Sequence, residues 1–140
     1  MTDTIELIDK VLTDLKRAGG VEACAAVSRD GLLIRSSLHK EQFAESFAAM
    51  SATMLGAAEI ASTELGKGVP NRVIVESSEG WLIAVGAGHK ALLVVIVSQE
   101  AGLGLILLEL DKAALSLKEL LERTDRNIEK ALRRLNLPSR

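Results

Sequence analysis

The sequence predicts a mixed α/β (α+β) domain in which a five-stranded antiparallel sheet lies between helices, in the order α-β-β-α-β-β-β-α. Three observations predict this class. Apolar residues recur at three- and four-residue steps in three long segments. Five shorter apolar runs between these segments lose that spacing and read as strands. Turn residues join the strands as hairpins, and strands joined by hairpins pair antiparallel.

The first helix is predicted over residues 3 to 18. Asp3 can cap its beginning, with Glu6 three residues later, and Gly19-Gly20 supplies a left-handed stop. One apolar face runs along Ile5, Ile8, Leu12 and Leu15.

Two hairpins repeat an acidic residue followed by glycine. "VEACAAVS" and "LLIRSS" flank Arg29-Asp30-Gly31, and "RVIVES" and "WLIAVG" flank Ser78-Glu79-Gly80. A phosphate-binding loop would lie between a strand and a helix, whereas both of these glycines lie between strands. We interpret them as turns.

The other strands differ in their patterns. "ALLVVIV" at 91–97 is apolar without alternation, which predicts a central strand covered on both faces. "RVIVES" alternates and has charged ends, which predicts an edge strand that pairs with the same edge of a second copy.

The second helix, within residues 40–66, is apolar on too many sides for a helix that shows one face to water. There is no charged side chain between Ser46 and Ala58. A stripe of larger residues comprises Phe43, Phe47, Met50, Met54, Ala57, Ala61 and Leu65. A stripe of small residues comprises Ala44, Ala48, Ser51, Leu55, Ala58 and Ser62.

We expect the larger stripe to fill the core and the small-residue stripe to face a second copy of the chain, because small side chains allow two helices to approach closely. Two-fold homodimers are also the commonest soluble oligomers. The alternative is a helix buried within the monomer. The predicted dimer interface comprises Ala44, Ala48, Ser51, Leu55, Ala58, Ser62, Arg72, Ile74 and Glu76.

The last helix is predicted to begin near Gly102 and to carry its main apolar stripe as far as Leu121. The periodicity continues to Leu135. We therefore predict one domain over residues 1–121 and a helical extension over 122–140. We expect this extension to be a solvated tail, and the alternative is a specific docking helix.

Composition excludes several classes. A net charge of -2, from 17 basic and 19 acidic side chains, leaves no basic face for nucleic acid. Cys24 is the single cysteine and fits a reducing compartment. The acidic start lacks the layout of a signal peptide, and no apolar stretch is long enough for membrane insertion. These features predict a cytoplasmic protein.

The sequence offers little chemistry. Cys24, His39 and His89 are far apart, and no His/Cys cluster has metal-ligand spacing. "GAGHKA" at 86–91 lacks the third glycine of a dinucleotide fingerprint, and "LGKGVP" at 65–70 ends a helix rather than opening one. We predict no catalytic residue, no metal, no cofactor and no enzymatic activity.

The order of elements, the two acid-glycine hairpins and the small-residue second helix resemble the Roadblock family, the dynein light chain relatives. "LGLILLEL" and "DKAA", from Leu103 to Ala114, add to the resemblance, which covers residues 3 to about 121. It implies a five-stranded antiparallel sheet between helices, with the second helix and third strand forming a homodimer seam.

The same resemblance implies a function. Prokaryotic members of the family commonly act with small Ras-like GTPases, as binding partners or as activators of hydrolysis. An activator orders the switch loops of the GTPase or lends an arginine. Arg29 and Arg72 are candidates for the second role, although an ordinary surface charge explains each more simply.

Two hypotheses follow. The first is a homodimeric scaffold that binds and regulates a small Ras-like GTPase. The alternative is a sensory domain that holds a small ligand between sheet and helix, which the scarcity of aromatic and buried polar residues disfavours.

Overall fold

The structure is a computed structural model that describes residues 3–37 and 41–135, without the side chains of residues 41–43. The described chain contains three helices and five strands in the predicted order. They are α1 (Thr4–Lys16), β1 (Val21–Ser28), β2 (Leu33–Ser36), α2 (Glu41–Glu64), β3 (Arg72–Ser77), β4 (Gly80–Ala87), β5 (Ala91–Ser98) and α3 (Leu103–Arg134).

The strands form one antiparallel sheet in the order β2-β1-β5-β4-β3. The predicted central strand is confirmed: β5 lies in the middle, and its residues from Ala91 to Val95 are buried. The predicted edge strand is confirmed as well, since β3 pairs with β4 alone among the described strands. The short strand β2 forms the opposite edge.

The helices cover the sheet on both faces. Helices α1 and α3 pack together on one face, where Ile8, Leu110 and Leu117 bury against alternate residues of β4 and β5. Helix α2 lies alone on the other face. Alternation along the strands sends neighbouring side chains to opposite layers, so the sheet separates two apolar clusters.

The predicted boundaries rest on local chemistry that the structure confirms. The side chain of Asp3 accepts a hydrogen bond from the backbone N–H of Ile5 and caps α1. Gly31 has a φ of +89° in the first hairpin turn. At Gly80 a Cβ would overlap the carbonyl oxygen of Val97 on β5, so only glycine fits that turn.

The orientation of α2 differs from the predicted one. Four residues of the small-residue stripe were expected to face a second copy, but the structure buries them within the chain. They are Ala44, Ala48, Ser51 and Leu55. Ala48 and Leu55 belong to the cluster on this face of the sheet, with Ala25, Val27, Ala84, Leu92 and Val94. Small side chains let the helix backbone approach the sheet closely, which serves packing within the monomer.

The larger stripe is correspondingly displaced from the core. Met50 and Leu65 are exposed, while Phe47 and Met54 pack at the margin of the α2 cluster. The side chain of Phe43 lies outside the described residues. The prediction that the stripe of larger side chains fills the core was therefore wrong, because the stripe of small residues is the one that is buried.

Helix α3 is 32 residues long and extends beyond the sheet. Among the described residues, the last side chains of α3 that bond to another part of the chain are Thr124, 3.1 Å from Thr4, and Asp125, 2.6 Å from Lys90. The division at residue 121 stays a prediction. No helix in the described ranges has the length and hydropathy needed to cross a bilayer.

Candidate functional site

The side of α2 that points away from the sheet is apolar and exposed. We call it the outer face of α2 and define it by Met50, Thr53, Ala57, Ile60 and Ala61, which recur at helical spacing. Met50 is 68% exposed and Ile60 is 63% exposed. Exposed apolar surface often marks an interaction site, so this face is a candidate interaction surface.

Two hydroxyl groups on the exposed side of the helix are already satisfied. Thr53 Oγ1 donates to the carbonyl of Ala49 at 2.9 Å, and Thr63 Oγ1 donates to the carbonyl of Glu59 at 2.8 Å. A buried hydroxyl is costly when it lacks a hydrogen bond. The outer face can therefore be covered by a partner without leaving these two donors unpaired.

The free edge of β3 lies at the margin of the sheet. Its register with β4 places Arg72, Ile74 and Glu76 on the side of α1 and α3, opposite Val85, Ile83 and Trp81. Val73 and Val75 face the α2 side. Ile74 and Val75 are each 42% exposed, so the edge presents apolar surface on both faces of the sheet.

The structure separates the nine residues predicted for the dimer interface. Four of them, Ala44, Ala48, Ser51 and Leu55, are buried within the chain and have almost no surface for a partner. Ala58 and Ser62 are half-buried. Arg72, Ile74 and Glu76 lie on the edge strand, where Ile74 and Glu76 are exposed and Arg72 is half-buried and paired with Asp111.

Thr53 and Ile60 are members of the outer face that the two stripes did not include. The absence of charge from Ser46 to Ala58 was the signal that a second apolar surface existed. That signal did not indicate which surface faced the sheet, because both stripes have the same period.

Arg29, one of the two arginines that could be lent to a GTPase, is half-buried and bonded within its own chain. Its Nη1 donates to Glu59 Oε1 on α2 at 2.7 Å, and its Nη2 donates to the carbonyl of Gly88 at 2.9 Å. These bonds connect the β1–β2 turn to α2 and to the β4–β5 turn. Donation of Arg29 to a partner would break both of them.

Arg72 is held in a comparable way. Its Nη2 lies 2.8 and 2.7 Å from the two carboxylate oxygens of Asp111 on α3. The pair ties the beginning of the edge strand to the helix layer. Arg72 is half-buried, so its geometry favours holding β3 against α3 over reaching into the active site of another protein.

Groups capable of catalysis are not assembled in the described part of the chain. Cys24 is buried, and its thiol donates to the carbonyl of Leu12 at 3.4 Å. Burial raises the pKa of the Cys24 thiol, although a hydrogen bond from Ser37 and the charge of Lys16 act in the other direction. His89 is exposed, and His39 lies outside the described residues.

The described residues offer little for a metal ion or a small ligand. The described residues contain no group of three or more His, Cys, Asp or Glu side chains that could hold a metal ion. A groove of about 520 Å³ opens between α1 and β2, with Asp9, Lys16 and Arg17 among its lining residues. Asp9 is already bound by Arg35 at 2.7 Å. The small-ligand alternative stays a prediction.

Comparison with known proteins decides the family. The sequence profile described as Roadblock/LC7 domain matches residues 7–97, which run from within α1 through α2 to the end of the sheet, short of the last residue of β5. This chain belongs to the Roadblock/LC7 family. The match ends before α3, so the Roadblock/LC7 profile leaves the long last helix outside its boundaries.

Relatives and solved structures agree with this Roadblock/LC7 assignment. The Methanocaldococcus jannaschii protein "Uncharacterized protein MJ1340" is 35% identical over 112 residues, covering 80% of this chain and 97% of the relative. Myxococcus xanthus MglB has a TM-score of 0.79 at 22% identity and covers 88% of this chain and 93% of its own. A Roadblock/LC7 domain from Streptomyces avermitilis has a TM-score of 0.75 at 21% identity, over 86% and 99%. Both structural matches establish the shared fold.

Proposed function

We propose that the chain is a cytoplasmic, non-enzymatic homodimer that binds a small Ras-like GTPase and modulates its nucleotide cycle. The observation that carries the proposal is the apolar outer face of α2, together with a β3 edge that no other described strand pairs. Membership of the Roadblock/LC7 family supports the same assignment, since prokaryotic members commonly act with such GTPases.

The sequence of β3 supports self-association. If two copies pair their β3 strands antiparallel about Ile74, Arg72 of one copy lies opposite Glu76 of the second. Opposite charges at facing positions stabilise a pair of strands. The outer face of α2 lies on the other side of the same sheet and would extend the contact between copies.

The two arginines support one mode of regulation over the other. Arg29 and Arg72 are both engaged by acidic side chains of their own chain. We therefore expect the protein to order the switch loops of the GTPase, rather than to lend an arginine to the reaction.

The test begins with affinity capture from a lysate of the source organism on the immobilised protein, with GDP or a non-hydrolysable GTP analogue. We expect a small GTPase whose capture depends on the nucleotide. The captured GTPase is then purified, and its hydrolysis and nucleotide exchange are measured with and without this protein. Unchanged rates in both assays, or capture of no GTPase, would contradict the proposal.

Variants of the two arginines test whether the protein orders the switch loops of the GTPase or lends it an arginine. Arg29→Ala and Arg72→Ala are expected to change the effect on the GTPase only as far as they destabilise the fold. Loss of regulation by roughly a thousandfold in a variant that stays folded would instead identify a donated arginine.

A further inference from the structure

The last ten described residues, 126–135, differ in charge from the rest of the chain. We call them the basic end of α3. They carry four basic side chains and one acidic one, a net charge of +3. Residues 1–125 carry 12 basic and 18 acidic side chains, a net charge of -6. The chain therefore has an acidic body and a basic helical end.

The basic end is amphipathic. Ile128, Leu132 and Leu135 continue the apolar stripe of Leu117 and Leu121 at helical spacing. Arg126 and Lys130 are each two residues from Ile128, which places them about 200° around the helix, and Arg133 lies on the same opposite side. The two faces of this segment therefore have opposite character.

The apolar stripe of α3 extends beyond the part of the chain that packs against it. Leu117 is fully buried and Leu121 packs against the core, whereas Ile128 is 54% exposed and Leu135 is 68% exposed. The change follows Thr124 and Asp125, the last α3 residues bonded to another described element. Beyond them the stripe keeps its spacing with little of the described chain over it.

We propose that the basic end of α3 binds peripherally to the surface of an anionic lipid membrane, with its apolar stripe at the boundary between headgroups and acyl chains. Basic side chains opposite an apolar stripe are typical of helices that lie in such an interface. This contact does not cross the bilayer, and it is independent of the proposed GTPase partner.

The charge and the shape of the basic end favour a lipid surface over nucleic acid or a second copy of the chain as its binding partner. Nucleic acid would use the basic side chains but would leave the apolar stripe uncovered. A second copy would cover the stripe, but residues 124 and 131 at the intervening heptad positions are Thr and Ala, a weak seam for a coiled coil. A membrane surface accommodates both faces and requires no matching groove.

The acidic body gives the contact a defined geometry. Anionic lipids attract the basic end and repel the body, so the helix would meet the surface while the sheet and α2 stay away from it. Ten residues of helix span about 15 Å, so one copy binds weakly and reversibly. Two copies in a dimer would bind more tightly through avidity.

The test is vesicle flotation of the full chain at low salt, with vesicles of pure phosphatidylcholine or of phosphatidylcholine containing 30% phosphatidylserine, a fraction of the order found in anionic leaflets. We expect binding to the anionic vesicles alone and release at high salt, where charges are screened. Equal binding to both vesicle types, or to neither, would overturn the proposal.

Two variants and a matched control distinguish vesicle binding through the basic end from an effect of the net charge of the whole chain. Lys130→Glu/Arg133→Glu is expected to lower the partition coefficient by roughly 25-fold or more, because each basic side chain near an anionic surface contributes about fivefold. Ile128→Ser should also weaken binding, although it leaves the charge unchanged. Lys10→Glu/Lys112→Glu makes the same charge change at exposed positions of the body and should bind better than either variant.

Undiminished vesicle binding in both basic-end variants would overturn the proposal, since another surface would then carry the contact. Light scattering without lipid tests the second-copy occupant. A lower mass for Ile128→Ser than for wild type would show that a second copy covers the stripe, and it would overturn the lipid assignment. Circular dichroism verifies that each variant keeps its helices.

Discussion

At the scale of single residues, Ser51 places a hydroxyl group in the apolar layer between α2 and the sheet. Its side chain is buried, and its Oγ has no hydrogen-bond partner among the described residues. We expect Ser51→Ala to raise the free energy of unfolding by about 1 kcal/mol, because it removes an unsatisfied polar group and adds helix propensity. Guanidinium denaturation measures the change. Ser116→Ala, at an exposed position of α3, is the control and should stay within about 0.5 kcal/mol of wild type. A less stable Ser51→Ala would contradict the expectation.

Cys24 makes stability depend on pH at the alkaline end. Burial raises the pKa of its thiol, so the folded chain holds the proton more strongly than the unfolded chain does. The protonated thiol makes its full contribution to the free energy of unfolding below the ordinary cysteine pKa of about 8.5. That contribution is lost as the pH rises from there through the pKa of the folded chain. We expect the free energy of unfolding to fall less steeply between pH 8 and pH 10 in Cys24→Ala than in wild type. Parallel slopes for the two proteins would contradict this account.

At the scale of elements, Arg29 joins three segments that are distant in the sequence. A Cβ at Gly86 would lie 2.6 Å from Arg29 Nη2, so Gly86→Ala should displace the guanidinium from Glu59 and Gly88. We expect Gly86→Ala to destabilise the wild type by about 2 kcal/mol, the scale of hydrogen bonds to a charged group. In an Arg29→Ala background the same substitution should be nearly neutral, and a double-mutant cycle measures the difference. Equal effects in both backgrounds would show that Gly86 is constrained by something else.

The elements themselves could be predicted from the sequence, but their partners could not. The unbroken apolar run of β5 and the charged ends of β3 predicted a central strand and an edge strand, because burial on two faces and exposure of an edge select different residues. The two stripes of α2 share one period, so the sequence did not settle which one met the sheet. The bonds of Arg29 to Glu59 and Gly88 depend on tertiary structure and left no local pattern.

At the scale of the whole molecule, the orientation of α2 determines which substitutions report on assembly and which report on folding. Ala48 is covered by the sheet, so Ala48→Glu would bury an unpaired charge inside the monomer and is expected to unfold it. Loss of the far-ultraviolet circular dichroism signal at 25 °C measures this. A folded Ala48→Glu with an altered mass would instead support the small-residue stripe as the seam.

Ala57 occupies the centre of the outer face and is the position at which assembly can be tested without disturbing the core. We expect wild type to have the mass of a dimer in light scattering at micromolar concentration, with a thermal midpoint that rises with concentration. Ala57→Glu would bury a carboxylate between two copies and should have the mass of a monomer. Ser116→Glu adds the same charge to an exposed position of α3 and should stay dimeric. If Ala57→Glu kept the dimer mass while remaining folded, the outer face of α2 would not be the seam, and the edge of β3 alone would have to carry the contact.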